Sequence, residues 1–162
     1  MRITLRSIGL LTALVTISAC APKGPTPDAM VTAANAVDQA FLDAFNAGDV
    51  DALMATYWNS PALVNIGLDG MGGLGWDGAK AGWEVAFASM PGVQLAFDSP
   101  VNIAAGDVVL GWGAWTMTVP TGDGTAMVLQ GRYSDVKAMR DGKWVYIMDH
   151  ASVPMPPAPE AP

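Results

Sequence analysis

Gly131-Arg132-Tyr133-Ser134-Asp135-Val136-Lys137-Ala138-Met139 leads through Arg140-Asp141-Gly142 into Lys143-Trp144-Val145-Tyr146-Ile147-Met148-Asp149-His150-Ala151-Ser152. A three-residue, Gly-containing connection between two such runs predicts an antiparallel hairpin, 125–139 with 143–152. Working backwards, Thr121-Gly122-Asp123-Gly124 and Ala105-Gly106-Asp107 punctuate the chain in the same way. They separate two further strands, 93–104 and 107–119. Before Pro91-Gly92 the period is helical. Thr26-Pro27-Asp28 reads as a helix start, with a capping residue, proline at the first position and an acid in the first turn. Met30, Ala34, Val37, Phe41 and Phe45 then form one apolar stripe, and Gly48 suits a left-handed cap. Asp49 caps a short second helix whose inner face carries Val50, Leu53, Met54 and Tyr57. A short strand follows at 62–66, then a loop with six glycines between Gly67 and Gly78. A third helix, capped by Asp77, places Trp83, Phe87 and Met90 on one face. Helices followed by hairpin-linked strands predict an α+β domain with an antiparallel sheet.

The ends of the chain differ from this middle. Residues 1–19 read as a targeting segment: Arg2 and Arg6, an apolar run from Ile8 to Ile17, then small Ser18 and Ala19. That run falls short of the roughly 20 apolar residues that span a bilayer. Ile17-Ser18-Ala19-Cys20 resembles the bacterial lipobox, which implies cleavage before Cys20 and lipid on its thiol. A stable anchor needs more than one acyl chain, and a lipoprotein carries that kind. Ala21 after the cysteine points, by resemblance, to the outer membrane of the bacterial cell envelope, facing the periplasm. Cys20 is the sole cysteine, so once lipidated it leaves the mature chain without a disulfide. Residues 20–27 are a linker, and 154–162 a Pro-rich tail expected to be disordered. The folded domain is therefore 28–153. Losing Arg2 and Arg6 with the leader takes the net charge from −7 to −9. So acidic a chain is a poor match for nucleic acid, which needs clustered Lys and Arg.

Three stretches carry a further resemblance. They are Ala44-Phe45-Asn46-Ala47-Gly48-Asp49-Val50-Asp51-Ala52-Leu53, a helix, break and helix; the Gly-rich loop with the helix after it; and Gly131 to Asp135 leading into Asp141 to Ser152, with Gly-Lys-Trp and Asp-His-x-Ser. Together they resemble the nuclear transport factor 2-like superfamily, in its SnoaL-like and ketosteroid isomerase-like branch, over roughly 28–154. The resemblance implies a cone: a strongly curved antiparallel sheet wrapped around the N-terminal helices, an apolar pocket at the wide end, and homodimers through the sheet. Members isomerise, cyclise, dehydrate, hydrolyse or only bind, so the fold does not settle the function.

Steroid isomerase chemistry needs a carboxylate base and two acidic donors in an apolar cavity. Carried over by position, the base falls at or beside Ile66, next to Asn65, and the phenol falls near Phe41; neither can do the work, and Asn65 is kept as a candidate ligand contact. Only Asp135 lies near the place of the acidic donor. His150, the single histidine, is then the candidate general acid or base. Strict alternation places it on one face with Trp144, Tyr146, Met148 and Ser152, and puts Asp149 on the other. Tyr146, Tyr57 and Asp135 are its candidate partners, against the simpler reading of a structural histidine. Arg132 could clamp a ligand carboxylate or pair with an acid across strands. Tyr57, Trp58, Trp76, Trp83, Trp112 and Trp115 read as an aromatic-lined cavity, or as core and dimer packing; Trp112 and Trp115 face opposite sides of their strand. Gly70-Met71-Gly72-Gly73-Leu74-Gly75 matches the dinucleotide fingerprint, with Asp98 about 20 residues on. The order of elements and the Trp76-Asp77-Gly78 interval argue against it and for a lid over the cone. No cofactor is implied, and one histidine with one lipidated cysteine cannot build a usual metal site. The leading expectation is a membrane-tethered domain binding a small apolar or aromatic molecule. The alternatives are an enzyme using His150, of isomerase, cyclase or hydrolase type, and a dimerising envelope scaffold with a filled cavity.

Overall fold

The computed structural model describes residues 24–68 and 73–154. Helix α1 (Pro27–Ala47) starts where Thr26 accepts a hydrogen bond from the Ala29 N–H at 3.3 Å and ends at Gly48, at φ +67°. All five residues of the expected stripe are buried, and Asp38 is buried with them. Helix α2 (Val50–Met54) is capped by the Asp49 carboxylate, which accepts from the Ala52 N–H at 2.9 Å. Strand β1 (Val64–Ile66), strand β2 (Gly73–Leu74), helix α3 (Trp76–Ser89) and strands β3 (Gln94–Ala105), β4 (Val108–Pro120), β5 (Ala126–Arg140) and β6 (Lys143–Ser152) complete the order. The sheet runs β2-β1-β6-β5-β4-β3, and α1 packs against β3, β4 and β6.

The architecture is the expected α+β cone, with three differences in detail. The sheet is mixed: β1 runs parallel to β6, pairing Asn65 with Asp149 and Ile66 with His150. Strand β2 pairs antiparallel with β1, so part of the expected loop is strand. Helix α3 begins at Trp76 behind Gly75, whose φ of +81° and close approach to the Pro61 backbone suit glycine; Asp77 sits in the first turn and does not cap it. Residues 69–72, the middle of the expected lid, lie outside the described residues, as do Cys20, the leader and the tail from 155.

One irregularity decides which side chains face the cone. Between β5 and β6, Val136 pairs with Met148 but Lys137 pairs with Tyr146. Ile147 is therefore an extra residue, a β-bulge that resets the alternation. Tyr146, Asp149 and Ala151 all face inward, while Met148, His150 and Ser152 face outward. The bulge overturns the strict alternation expected for β6.

Candidate functional site

Glycines open the inner face of the sheet. Tyr133 and Asp135 on β5 lie opposite Gly113 and Gly111 on β4. A Cβ at Gly111 would come within 2.5 Å of the Asp135 carboxylate oxygens, and one at Gly113 within 2.9 Å of the Tyr133 ring. Between this face, α1 and α3 lies a cavity of about 570 Å³. Its walls are aromatic: Phe41 and Phe45 from α1, Trp83 from α3, and Phe97, Trp115 and Tyr133 from the sheet. Phe97 and Tyr133 stack with ring centroids 4.5 Å apart. Gly78, Gly82 and the exposed Val85 of α3 border the mouth.

The deep end is polar. Asn65, Asp135, Tyr146 and Asp149 line it, and Asp38 and Lys137 lie behind them. Lys137, fully buried, places its Nζ 2.7 Å from both Asp38 and Asp135 and donates to Asn102 Oδ1 at 3.1 Å. Asp38 also accepts from the Tyr146 hydroxyl and from Asn102 Nδ2. Tyr57, buried behind the cavity, donates its hydroxyl to Asp149 Oδ2 at 2.6 Å, and Asn65 Nδ2 donates to the same oxygen at 3.3 Å. Asp135 spends only Oδ1, on Lys137; its Oδ2 has no partner among the described residues.

Burial and charge set the acidities. Burial lifts the Asp135 carboxyl to about 7, against the downward pull of Lys137, with Asp38 and Asp149 adding to the rise. Burial also raises Asp149, opposed by the Tyr57 hydrogen bond and Lys137. Tyr57 and Tyr146 are pushed well above the ordinary phenol value, first by burial and then by Asp149 and Asp38 respectively. The floor therefore holds a carboxyl that changes charge near neutrality beside phenols that stay protonated, a pairing suited to moving or holding a proton.

Stability follows from the same shift. Asp135 has its folded value raised from 3.8 to about 7, so between these limits the folded chain binds more protons than the unfolded one. Stability is then highest at the acidic end of this window and falls as pH rises through it. The urea midpoint is expected to drop between pH 5 and pH 8, and Asp135→Asn to flatten the slope; an unchanged slope in the variant refutes the assignment.

Several sequence candidates meet here. Asp135, Tyr146, Asn65 and Trp83 line the cavity, and Tyr57 reaches it through Asp149. Four others do not. The bulge sends His150 to the outer face, against Ser134 and Ile66, away from Tyr146 and the cavity. Trp112 is outside and 43% exposed, beside Val101, whereas Trp115 packs inward. Trp58 lies under Arg140, its ring centroid 5.2 Å from the guanidinium carbon. Arg132 alternates outward from Tyr133, borders a separate groove with Ser152 and Pro154, and takes no part in the ion pairs of the described residues. Asp38, Lys137 and Asp149 were missed. Asp38 shares the helical spacing of the apolar stripe, and Lys137 the alternation of Tyr133 and Asp135, so both were legible in the pattern. Asp149 was hidden by the bulge.

A curved sheet over one long helix, with an aromatic cavity and a polar deep end, defines a cone-shaped pocket domain. The family model described as the SnoaL-like domain matches residues 39–147, and the chain belongs to that family. Solved structures agree in fold. A nuclear transport factor 2-like superfamily protein from Salmonella enterica serovar Typhimurium is similar with a TM-score of 0.73 at 18% identity, covering 81% of this chain and 95% of that one. A Streptomyces avermitilis protein, named a candidate dehydratase of the NTF2-like family, gives 0.73 at 18%, covering 80% and 99%. An NTF2-like protein of unknown function from Shewanella oneidensis gives 0.64 at 23%, covering 75% and 97%. No curated protein sequence matches the chain.

Proposed function

We propose that this chain is a membrane-anchored lipoprotein whose SnoaL-like domain binds a small, largely apolar or aromatic molecule. The cavity of about 570 Å³ carries this reading: its size suits one small ligand, its walls are aromatic, and its few polar groups converge at one end. The open volume also argues against a scaffold with a filled core. Anchoring rests on the lipobox-like Ile17-Ser18-Ala19-Cys20, and no described helix is long and apolar enough to cross a membrane. A second copy would cover the outer sheet face, where Val101, Ile103, Leu110 and Trp112 are exposed.

Native mass spectrometry of protein exposed to an extract of its source cell tests the binding reading. The expected result is a dimer retaining a mass of a few hundred daltons that is released on unfolding. Repeated recovery without any added mass, with the cavity still accessible to apolar dyes, counts against it. Cys20→Ser should release the protein from membranes or leave it unprocessed; a processed variant still on the membrane defeats the anchor.

Acid–base catalysis is the second reading, favoured by Asp135, Asp149 and Tyr57 at the deep end and not by His150. The Streptomyces protein's name points in the same direction. With the retained compound as substrate, Asp149→Asn should abolish turnover while the protein stays folded, whereas His150→Ala should leave turnover and binding intact.

A further inference from the structure

The deep end of the cavity carries an unbalanced charge. Asp38 and Asp135 share one ion-pair partner, Lys137, and the neighbouring Asp149 makes no ion pair among the described residues; His150 acts on it only from the outer face. Lys137 is committed: its Nζ donates to Asp135 and Asn102 and lies 2.7 Å from Asp38. Asp149 is held by a phenol and an amide, neither of which carries positive charge. Asp135 is 2% exposed and lines the cavity, yet its Oδ2 lacks a partner among the described residues. A buried carboxylate oxygen without a donor is costly, so a ligand that brings one gains by supplying it. Asp135 and Asp149 are directly paired across β5 and β6, and Gly111 opposite Asp135 on β4 leaves the space that the Asp135 carboxylate itself fills.

Resting on the binding reading above, we infer that the ligand is a cation: an aryl-alkyl amine whose ammonium group sits between Asp135 and Asp149. Its apolar body lies among Phe97, Trp115 and Tyr133. An ammonium donates to Asp135 Oδ2, supplies the missing positive charge, and meets aromatic faces that favour cations. A neutral molecule of the same shape gains only the apolar contacts. The net charge of −7 draws cations towards the protein in the same sense.

The groups facing Asp135 fix the pH behaviour. They are Lys137 and Tyr133 on β5, Asp149 and Tyr146 on β6, Asp38 on α1, and Tyr57 after α2; β4 offers Gly111 and β3 Asn102, while His150 acts on Asp149 from the outer face. Alkyl ammonium groups stay protonated to about pH 10. As pH falls through 7, Asp135 takes up a proton and the cation loses its counter-charge, so affinity for the amine weakens towards acid.

The test uses the full chain in lipid nanodiscs and matched probes: benzylamine, 2-phenylethylamine and 2-(1-naphthyl)ethylamine, each against the alcohol of the same skeleton, by calorimetry. At pH 8 the best amine is expected to bind about tenfold or more tightly than its alcohol. Asp135→Asn should erase that preference, bringing amine and alcohol to within a few-fold of each other. In the unaltered protein the amine should weaken about tenfold from pH 8 to pH 5 while the alcohol does not; this arm needs no variant to fold. Alcohols binding as well as amines at pH 8, or an amine affinity flat with pH, overturn the cation assignment and leave the cavity reading standing. No binding of any probe below about 1 mM overturns both.

Discussion

Replacing Lys137 with Met is expected to cost about 3–5 kcal/mol of unfolding free energy at pH 8, the range for removing one partner of a buried ion pair. Met keeps the unbranched stem and lacks only the terminal nitrogen, and Lys137 is not part of the cavity wall, so the loss is mainly electrostatic. Asp38 keeps two donors, the Tyr146 hydroxyl and Asn102 Nδ2. Among the described residues Asp135 keeps none, because Lys137 is the one that donates to it. The penalty should shrink towards pH 5, where the abandoned carboxyl becomes neutral. Adding Asp135→Asn should recover part of the loss at pH 8, since the two residues act as a unit. Urea unfolding of the single and double variants at pH 5 and pH 8 measures this. A Lys137→Met loss under about 1 kcal/mol, equal at both pH values, would mean that the buried network stores little.

Gly131→Ala should be nearly as damaging for a steric reason. Gly131 faces the inner side of β5, and a Cβ there would overlap both the Ser152 carbonyl oxygen and the Trp115 ring. Neither obstacle yields cheaply. Ser152 closes the β5–β6 ladder opposite Arg132, and Trp115 is buried with its indole N–H on the Arg132 carbonyl at 3.0 Å. Overpacking of this kind costs about 3 kcal/mol, equivalent to a melting temperature lower by about 10 °C. Gly113→Ala meets only the edge of the Tyr133 ring and should cost less. Gly82→Ala meets nothing within 4 Å and should stabilise α3 by about 1 kcal/mol. Thermal melts of the three variants give the ranking; Gly131→Ala melting with the unaltered protein would show that the end of β6 gives way freely.

The elements themselves were legible because each is announced locally. The Thr26 cap, the stripe from Met30 to Phe45, Gly48 and the turns around Gly106, Gly122–Gly124 and Gly142 state start, face and stop within a few residues. From these the sequence by itself determined an α+β chain of helices followed by hairpins, and which face of α1 is buried. It also marked Tyr57, Asn65, Trp83, Asp135 and Tyr146 as site candidates.

The content of the deep end was decided by tertiary structure. Ile147 carries no mark of a bulge, since the bulge exists only in the pairing of β6 with β5. One inserted residue exchanges His150 for Asp149 at the cavity, because side chains in a strand alternate with a period of two. The parallel pairing of β1 with β6, which brings Asn65 beside Asp149, joins segments 84 residues apart and has no local signal. Burial then does what composition cannot foretell: it gathers a scattered set of ordinary residues, Asp38, Asp135, Lys137 and Asp149, into one water-poor group, where burial raises the pKa values of Asp135 and Asp149.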